Sequence, residues 1–94
     1  MKDVEDIKYY ENGGIRYRCN YLGGKKNGEY IRYFLSGEIS YKYSYLDDNL
    51  NGEFTRYYEN GDITYKSYYI NGNYVTELDW ISYNRNLKLE LLGL

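Results

Sequence analysis

Apolar and polar residues alternate along several stretches of this chain, and the alternation restarts at a fixed interval. Within 38–45, Ile39, Tyr41, Tyr43 and Tyr45 fall on one side of an extended strand and Ser40, Lys42 and Ser44 on the other. That period of two is the pattern of a half-buried β-strand. Displacing the sequence by 24 residues superimposes Tyr9, Tyr33 and Tyr57; Gly13, Gly37 and Gly61; Ile15, Ile39 and Ile63; Tyr17, Tyr41 and Tyr65. The same shift brings Asn27-Gly28-Glu29 onto Asn51-Gly52-Glu53, with no insertion or deletion. A self-similarity of this length is an internal repeat. It divides 1–75 into units near 5–28, 29–52 and 53–75, with 76–94 outside the pattern.

Each unit predicts a hairpin. The pair Asn12-Gly13, repeated as Asn60-Gly61 and more weakly as Ser36-Gly37, suits a two-residue type I′ turn between alternating segments. Six strands follow, near 4–10, 15–21, 29–34, 38–45, 53–58 and 62–69, paired antiparallel into one meandering sheet. With two-residue turns, Phe34 faces Ile39, Arg32 faces Tyr41, Tyr30 faces Tyr43, Lys8 faces Tyr17 and Arg56 faces Tyr65. One side then carries a Tyr/Ile/Phe carpet with one cation set against a tyrosine per repeat, each such pair contributing roughly 0.2–1 kcal/mol. The other side repeats Tyr9/Tyr33/Tyr57, Arg18/Lys42/Lys66 and Arg16/Ser40/Thr64. The fold class is mainly β, an elongated single-layer meander of hairpins.

After Thr76 the rhythm changes. Thr76 reads as an N-cap with Asp79 in the first turn, and Leu78, Ile81, Leu87, Leu91 and Leu94 suggest one or two short amphipathic helices. Such a segment can fold back as a cap on the open end of the array, or pack against a second copy. The carpet has two readings as well. It is a core covered by Trp80 and the leucines, or an interface left open for a partner.

Composition then narrows the chemistry. Sixteen tyrosines against two phenylalanines and one tryptophan suit half-buried strands whose hydroxyls stay wet. The absence of proline leaves long pairing ladders unbroken. With no histidine and one cysteine, Cys19, neither a Ser-His nor a Cys-His nucleophile can be assembled, and the usual zinc ligand sets are missing. Glu29 and Glu53 recur with the repeat, which is the behaviour of structural acids. Asp47-Asp48-Asn49 lacks the spacing of a calcium loop, and Gly23-Gly24-Lys25-Lys26 lacks that of a phosphate loop. No catalysis, cofactor, metal or small-molecule substrate is expected. The net charge of −2 argues against a nucleic-acid partner held by bulk charge. The start MKDVEDIKYY has no apolar leader core and no run approaches membrane-spanning length, which together with the lone cysteine predicts a soluble, cytoplasmic protein.

The unit Tyr-Tyr-x-x-Gly-x-Ile-x-Tyr, followed by a further Tyr and by Asn-Gly-Glu, resembles the MORN repeat, and more closely its variant form built around YYxNG; the match covers residues 5–74. The commoner form has a Gly-x-Gly step before its aromatic residue, where this chain has Gly28-Glu29-Tyr30 and Gly52-Glu53-Phe54. The resemblance implies a curved single-layer sheet that serves protein–protein contact, self-association or attachment to membrane lipid. It also implies a source among AT-rich bacteria, where some such proteins are antitoxin-like, or large DNA viruses.

The expected function is therefore a non-catalytic interaction or assembly module that binds a protein through its aromatic face and forms a homodimer, with the C-terminal helix a possible dimer contact. The alternatives are neutralisation of a toxin, or a peripheral adaptor for anionic lipid head groups. The candidate contact residues on the carpet are Tyr17, Tyr41, Tyr43, Tyr65, Arg32 and Arg56. Tyr33, Tyr57 and Trp80 are further candidates, the first two beside the basic ladder Arg18/Lys42/Lys66.

Overall fold

The computed structural model describes residues 3–93, so Leu94 of the expected helix pattern lies outside the described residues. Among the described residues nine strands form one antiparallel sheet, followed by a single helix. They are β1 (Asp3–Tyr9), β2 (Ile15–Leu22), β3 (Lys25–Lys26), β4 (Gly28–Tyr33), β5 (Ile39–Leu46), β6 (Asn49–Leu50), β7 (Gly52–Tyr57), β8 (Ile63–Ile70), β9 (Asn73–Val75) and α1 (Glu77–Leu91). Neighbours run β1-β2-β4-β5-β7-β8-β9, with β3 on β2 and β6 on β5. The expected meander of hairpins with a C-terminal helix is the observed architecture. Its radius of gyration, 15.4 Å, exceeds the roughly 12 Å of a compact chain of this size, as a layer without a second layer must.

Two kinds of turn alternate, and they exchange the roles the sequence suggests for them. At the YYENG corner, the Gly13 N–H donates to Tyr10 O at 3.0 Å and the Tyr10 N–H to Gly14 O at 2.8 Å. The loop is Glu11-Asn12-Gly13, three residues, and only Gly13 takes a positive φ, +88°. Gly37 (+99°) and Gly61 (+94°) repeat it. This is a tight turn closed by a glycine bulge, not the two-residue mirror turn. Asn12 serves it differently, its Oδ1 accepting from the Gly14 N–H at 2.9 Å, as Asn60 Oδ1 accepts from Asp62 at 2.9 Å. The two-residue turns lie at the other end of each hairpin. Gly23-Gly24, Asp47-Asp48 and Asn71-Gly72 all have positive φ at both positions. Asp and Asn tolerate that region better than other side chains.

The three-residue corner shifts the pairing by one, so Tyr33, not Phe34, faces Ile39. A second irregularity follows at once, leaving Ser40 unpaired between Ile39 and Tyr41, with Arg16 and Thr64 in the same place in the other units. The two shifts cancel. Beyond them Lys8↔Tyr17, Arg32↔Tyr41, Tyr30↔Tyr43 and Arg56↔Tyr65 pair as expected. Because paired residues project to one side, Ile15, Ile39 and Ile63 go with Tyr9, Tyr33 and Tyr57 instead of joining the carpet.

Successive units are also tied at their turns. The Asp48 N–H donates to Lys26 O and the Lys26 N–H to Asp48 Oδ1, at 2.9 and 2.7 Å. One repeat later the Gly72 N–H donates to Leu50 O at 2.7 Å. At the corners the Tyr10 hydroxyl donates to Tyr33 O at 2.6 Å.

Helix α1 begins as expected, with Thr76 Oγ1 accepting from the Asp79 N–H at 3.1 Å. It is one helix of 15 residues, none of them buried. Its apolar residues lie on two stripes, Trp80, Tyr83, Leu87 and Leu91 on one and Leu78, Ile81, Leu89 and Leu92 on the other. Trp80 stacks on Tyr68 of β8 at 6.2 Å, while Leu78 is 73 % and Leu91 81 % exposed. Among the described residues only Cys19, Ile31, Thr55, Ser67 and Tyr68 are buried.

The corner makes a test. A Cβ at Gly37 would meet nothing within 4 Å, so any cost of Gly37→Ala arises from backbone conformation alone. It should destabilise the chain by about 1–2 kcal/mol in urea unfolding, while Ser36→Ala stays near neutral. An equally stable Gly37→Ala chain contradicts the corner described here.

Candidate functional site

The two sides of the sheet differ in chemistry. On one, a single row crosses six strands, each member paired with the next: Lys8, Tyr17, Arg32, Tyr41, Arg56, Tyr65. Cations and tyrosines alternate without a break. Hairpin arithmetic finds the pairs within units; Tyr17↔Arg32 and Tyr41↔Arg56 join one unit to the next.

Beside this row the rings of neighbouring strands stack. Centroids lie 5.4 Å apart for Tyr17–Tyr30, 4.9 Å for Tyr30–Tyr43 and 5.1 Å for Tyr43–Phe54, with planes within 15° of parallel. Tyr41 joins Phe54 at 6.0 Å, and Phe54 meets Tyr65 edge-on at 6.2 Å. The stack runs from β2 to β8. Each contact contributes on the order of 0.5–1.5 kcal/mol beyond area. Tyr30 and Phe54 are its bridging members, absent from the sequence-derived candidates although their alignment at the 24-residue shift signals them. Arg32 lies among these phenols. Its burial would lower its pKa, but facing Tyr41 and Tyr30 outweigh that and raise it. Among the described residues the cation–π contacts are elsewhere, Lys26 Nζ 5.0 Å from the centre of Tyr45 and the Arg16 guanidinium 5.1 Å from that of Tyr10.

The opposite side carries Ile7, Arg18, Ile31, Lys42, Thr55 and Lys66 as its own continuous row. The basic ladder is there, but next to it run Glu5, Glu29 and Glu53, and Lys66 Nζ lies 3.7 Å from Glu53 Oε1. Three acids thus stand beside the three cations of the ladder, and Ile31 and Thr55, which alternate with the cations in the row, are buried. On the tyrosine side the row and its neighbour hold Lys8, Lys26, Arg32 and Arg56 against Asp6, so cations prevail there.

Helix α1 lies on the charged side. Tyr68 pairs with Glu53 and alternates with Tyr65, Ser67 and Tyr69, so Trp80, which stacks on it, sits across the sheet from the ring stack. Trp80 bounds a depression of about 310 Å³ with Glu29, Lys42, Ser44, Glu53 and Thr55. The sequence candidates thus divide three ways. Tyr17, Tyr41, Tyr43, Tyr65, Arg32 and Arg56 come together on the tyrosine side; Tyr33 and Tyr57 stand at the corners opposite Ile39 and Ile63; Trp80 is on the far side. The carpet is not covered by the helix. Among the described residues no group of acids and Cys19 could hold a metal ion, and no helix is long and apolar enough to cross a membrane.

Burial raises the pKa of Tyr43, helped by the Tyr45 hydroxyl, and burial with the nearby Tyr41 raises that of Tyr30. A phenol that stays neutral in the fold above its ordinary pKa of about 10 contributes stability that is complete below pH 10 and is lost as pH rises through the folded value. Absorbance titration at alkaline pH should therefore show late-ionising tyrosines that titrate with unfolding, one fewer in Tyr43→Phe. Simultaneous ionisation of all tyrosines near pH 10 in the folded chain would contradict the packed stack.

A family model described as MORN repeat variant matches residues 7–22, 26–47 and 50–74, well over half of the chain. No curated protein and no solved structure is significantly similar to it. MORN repeats are non-enzymatic modules, associated in general with interaction with proteins and membrane lipid. Each matched segment holds one of the three glycine corners, at Gly13, Gly37 and Gly61, and the chain belongs to the MORN repeat family in its variant form.

Proposed function

We propose that this protein is a non-catalytic interaction module that captures a protein partner with its tyrosine side. The observation that carries this reading is the uncovered row Lys8–Tyr17–Arg32–Tyr41–Arg56–Tyr65 with the ring stack beside it. Tyrosine and arginine are the side chains that dominate binding energy at interfaces, because a rigid aromatic surface and a planar cation lose little entropy on contact. The excess of Lys and Arg selects a partner surface rich in Asp and Glu, such as a toxin neutralised by occlusion. An exposed aromatic patch of this extent on an isolated chain is a contact surface awaiting its occupant.

Self-association belongs to the same reading. Helix α1 buries none of its residues, and a second copy would cover Leu78, Ile81, Leu89 and Leu92 as a homodimer contact. Anionic lipid is the second reading, favoured by the same excess of cations on one side of the sheet.

Tagged protein used as bait in its native cell, with captured proteins identified by mass spectrometry, tests the assignment. Arg56→Glu and Tyr65→Ala each change an exposed residue of the row and should lower capture of the specific partner at least about tenfold, the effect of losing some 1.4 kcal/mol. Arg18→Glu, exposed on the charged side, should leave capture unchanged. Equal loss from Arg18→Glu, or none from the row, places the contact elsewhere. Binding to phosphatidylserine vesicles at low salt, without protein capture, would favour the lipid reading.

A further inference from the structure

The sheet ends in two open edges that match each other. Within the array, β2 is followed by β4 through Tyr17↔Arg32 and Arg18↔Ile31, and β5 by β7 through Tyr41↔Arg56 and Lys42↔Thr55. By the 24-residue phase, Tyr65 and Lys66 of β8 await the next such strand. None comes, because the chain at that phase has turned into helix α1, whose Trp80 lies over Gly52 and Tyr68 on the charged side. Strand β9 covers only Tyr68–Ile70. The consequence is visible in exposure: Ile39–Lys42 of β5 are all half-buried, whereas their equivalents Ile63–Lys66 of β8 are all exposed. At the opposite end, β1 has β2 on one side and, among the described residues, no strand on the other. Strand β1 stands in the phase of β4 and β7, with Lys8 where they have Arg32 and Arg56, and Ile7 where they have Ile31 and Thr55.

We propose that β1 of a second copy adds to the open half of β8, antiparallel and head to tail, with its Lys8 opposite Tyr65 and its Ile7 opposite Lys66. This contact joins the edges of two sheets through backbone pairing, whereas the partner surface proposed above is the tyrosine face, with which it shares the end residues Lys8 and Tyr65. It continues the cation–tyrosine row across the junction, since the row begins with a cation and ends with a tyrosine. Two further features agree with it. The Tyr10 hydroxyl donates to Tyr33 O within the chain; the same phase sets the Tyr58 hydroxyl, on a 58 % exposed residue, toward Tyr9 O of the second copy. Phe34, at the same phase between them, has no hydroxyl to give. Charge also sets the direction. Strand β1 carries Asp3, Glu5 and Asp6 against Lys8, so two β1 edges repel, while β8 carries Lys66 and no acid. Backbone pairing at an open edge is the usual route for adding a strand, and a head-to-tail contact that does not close extends into a filament.

Lys8 and Tyr65 of one chain are five strand spacings apart, about 24 Å, so a disulfide between these positions can form only across the junction. In a Cys19→Ser background, chains carrying Lys8→Cys and chains carrying Tyr65→Cys are mixed at high concentration under mild oxidation. The mixture should give disulfide-linked dimer several-fold above either chain alone, and the double variant a ladder of multimers. Tyr58→Phe should lower the yield several-fold. Ile7→Cys mixed with Lys66→Cys reads the same register should Tyr65→Cys weaken the fold. With both chains folded by circular dichroism, no excess in the mixture overturns the proposal, as does a dominant Lys8→Cys self-link. The helix contact proposed above is tested apart from this by Leu78→Glu, which should leave the mixed disulfide intact.

Discussion

Aromatic rings stack at very nearly the distance at which β-strands pair, and this coincidence organises the molecule. Paired strands lie about 4.8 Å apart; the Tyr30–Tyr43 and Tyr43–Phe54 centroids lie 4.9 and 5.1 Å apart. A ring on one strand therefore meets the ring opposite it face to face, provided the register is right. A slip of one residue would send every ring to the charged side. Stack and register thus hold each other in place. This explains how a sheet whose described residues include only five buried ones can keep a defined surface.

The repeat is what lets such a layer exist. Each unit of 24 residues offers its neighbour the same pair of contacts, a backbone link at the two-residue turn and a row contact at mid-strand. Stability in such an array is close to a sum of units and junctions, so its ends are weakest. At one end β9 and α1 supply partial cover by Trp80 on Tyr68; at the other, among the described residues, β1 is the last strand. Helix α1 places its apolar residues on two stripes instead of one, so it rests on the sheet through Trp80 and leaves the rest to solvent. Placing α1 on the charged side keeps the row and its rings accessible, as the proposed capture of a partner requires.

Much of this is legible in the letters, and the failures have physical causes. The strands and most of the intra-hairpin register follow from alternation and phase. The register survives a mistaken turn, because the extra residue in the Glu11-Asn12-Gly13 loop is offset by the unpaired Arg16, and likewise at Ser40 and Thr64. Asn-Gly suggests a mirror turn wherever it occurs; at Asn71-Gly72 it makes one, and at Asn12-Gly13 the asparagine instead accepts a hydrogen bond with its side chain. The acids that accompany Arg18, Lys42 and Lys66 are visible as a recurring Glu, but only inter-strand pairing sets Glu5, Glu29 and Glu53 beside them. Which side Trp80 chooses is not written in α1, since either stripe could face either side of the sheet.

That choice is where the account is most exposed to test. With aromatic residues selectively labelled, nuclear Overhauser contacts of the Trp80 indole report which rings it touches in solution. Contacts to Tyr68 and Tyr83, with none to Tyr41 or Phe54, are the predicted result. Contacts from Trp80 to Tyr41, Tyr43 or Phe54 would mean that the helix covers the ring stack, and the tyrosine side would be a core instead of a binding surface.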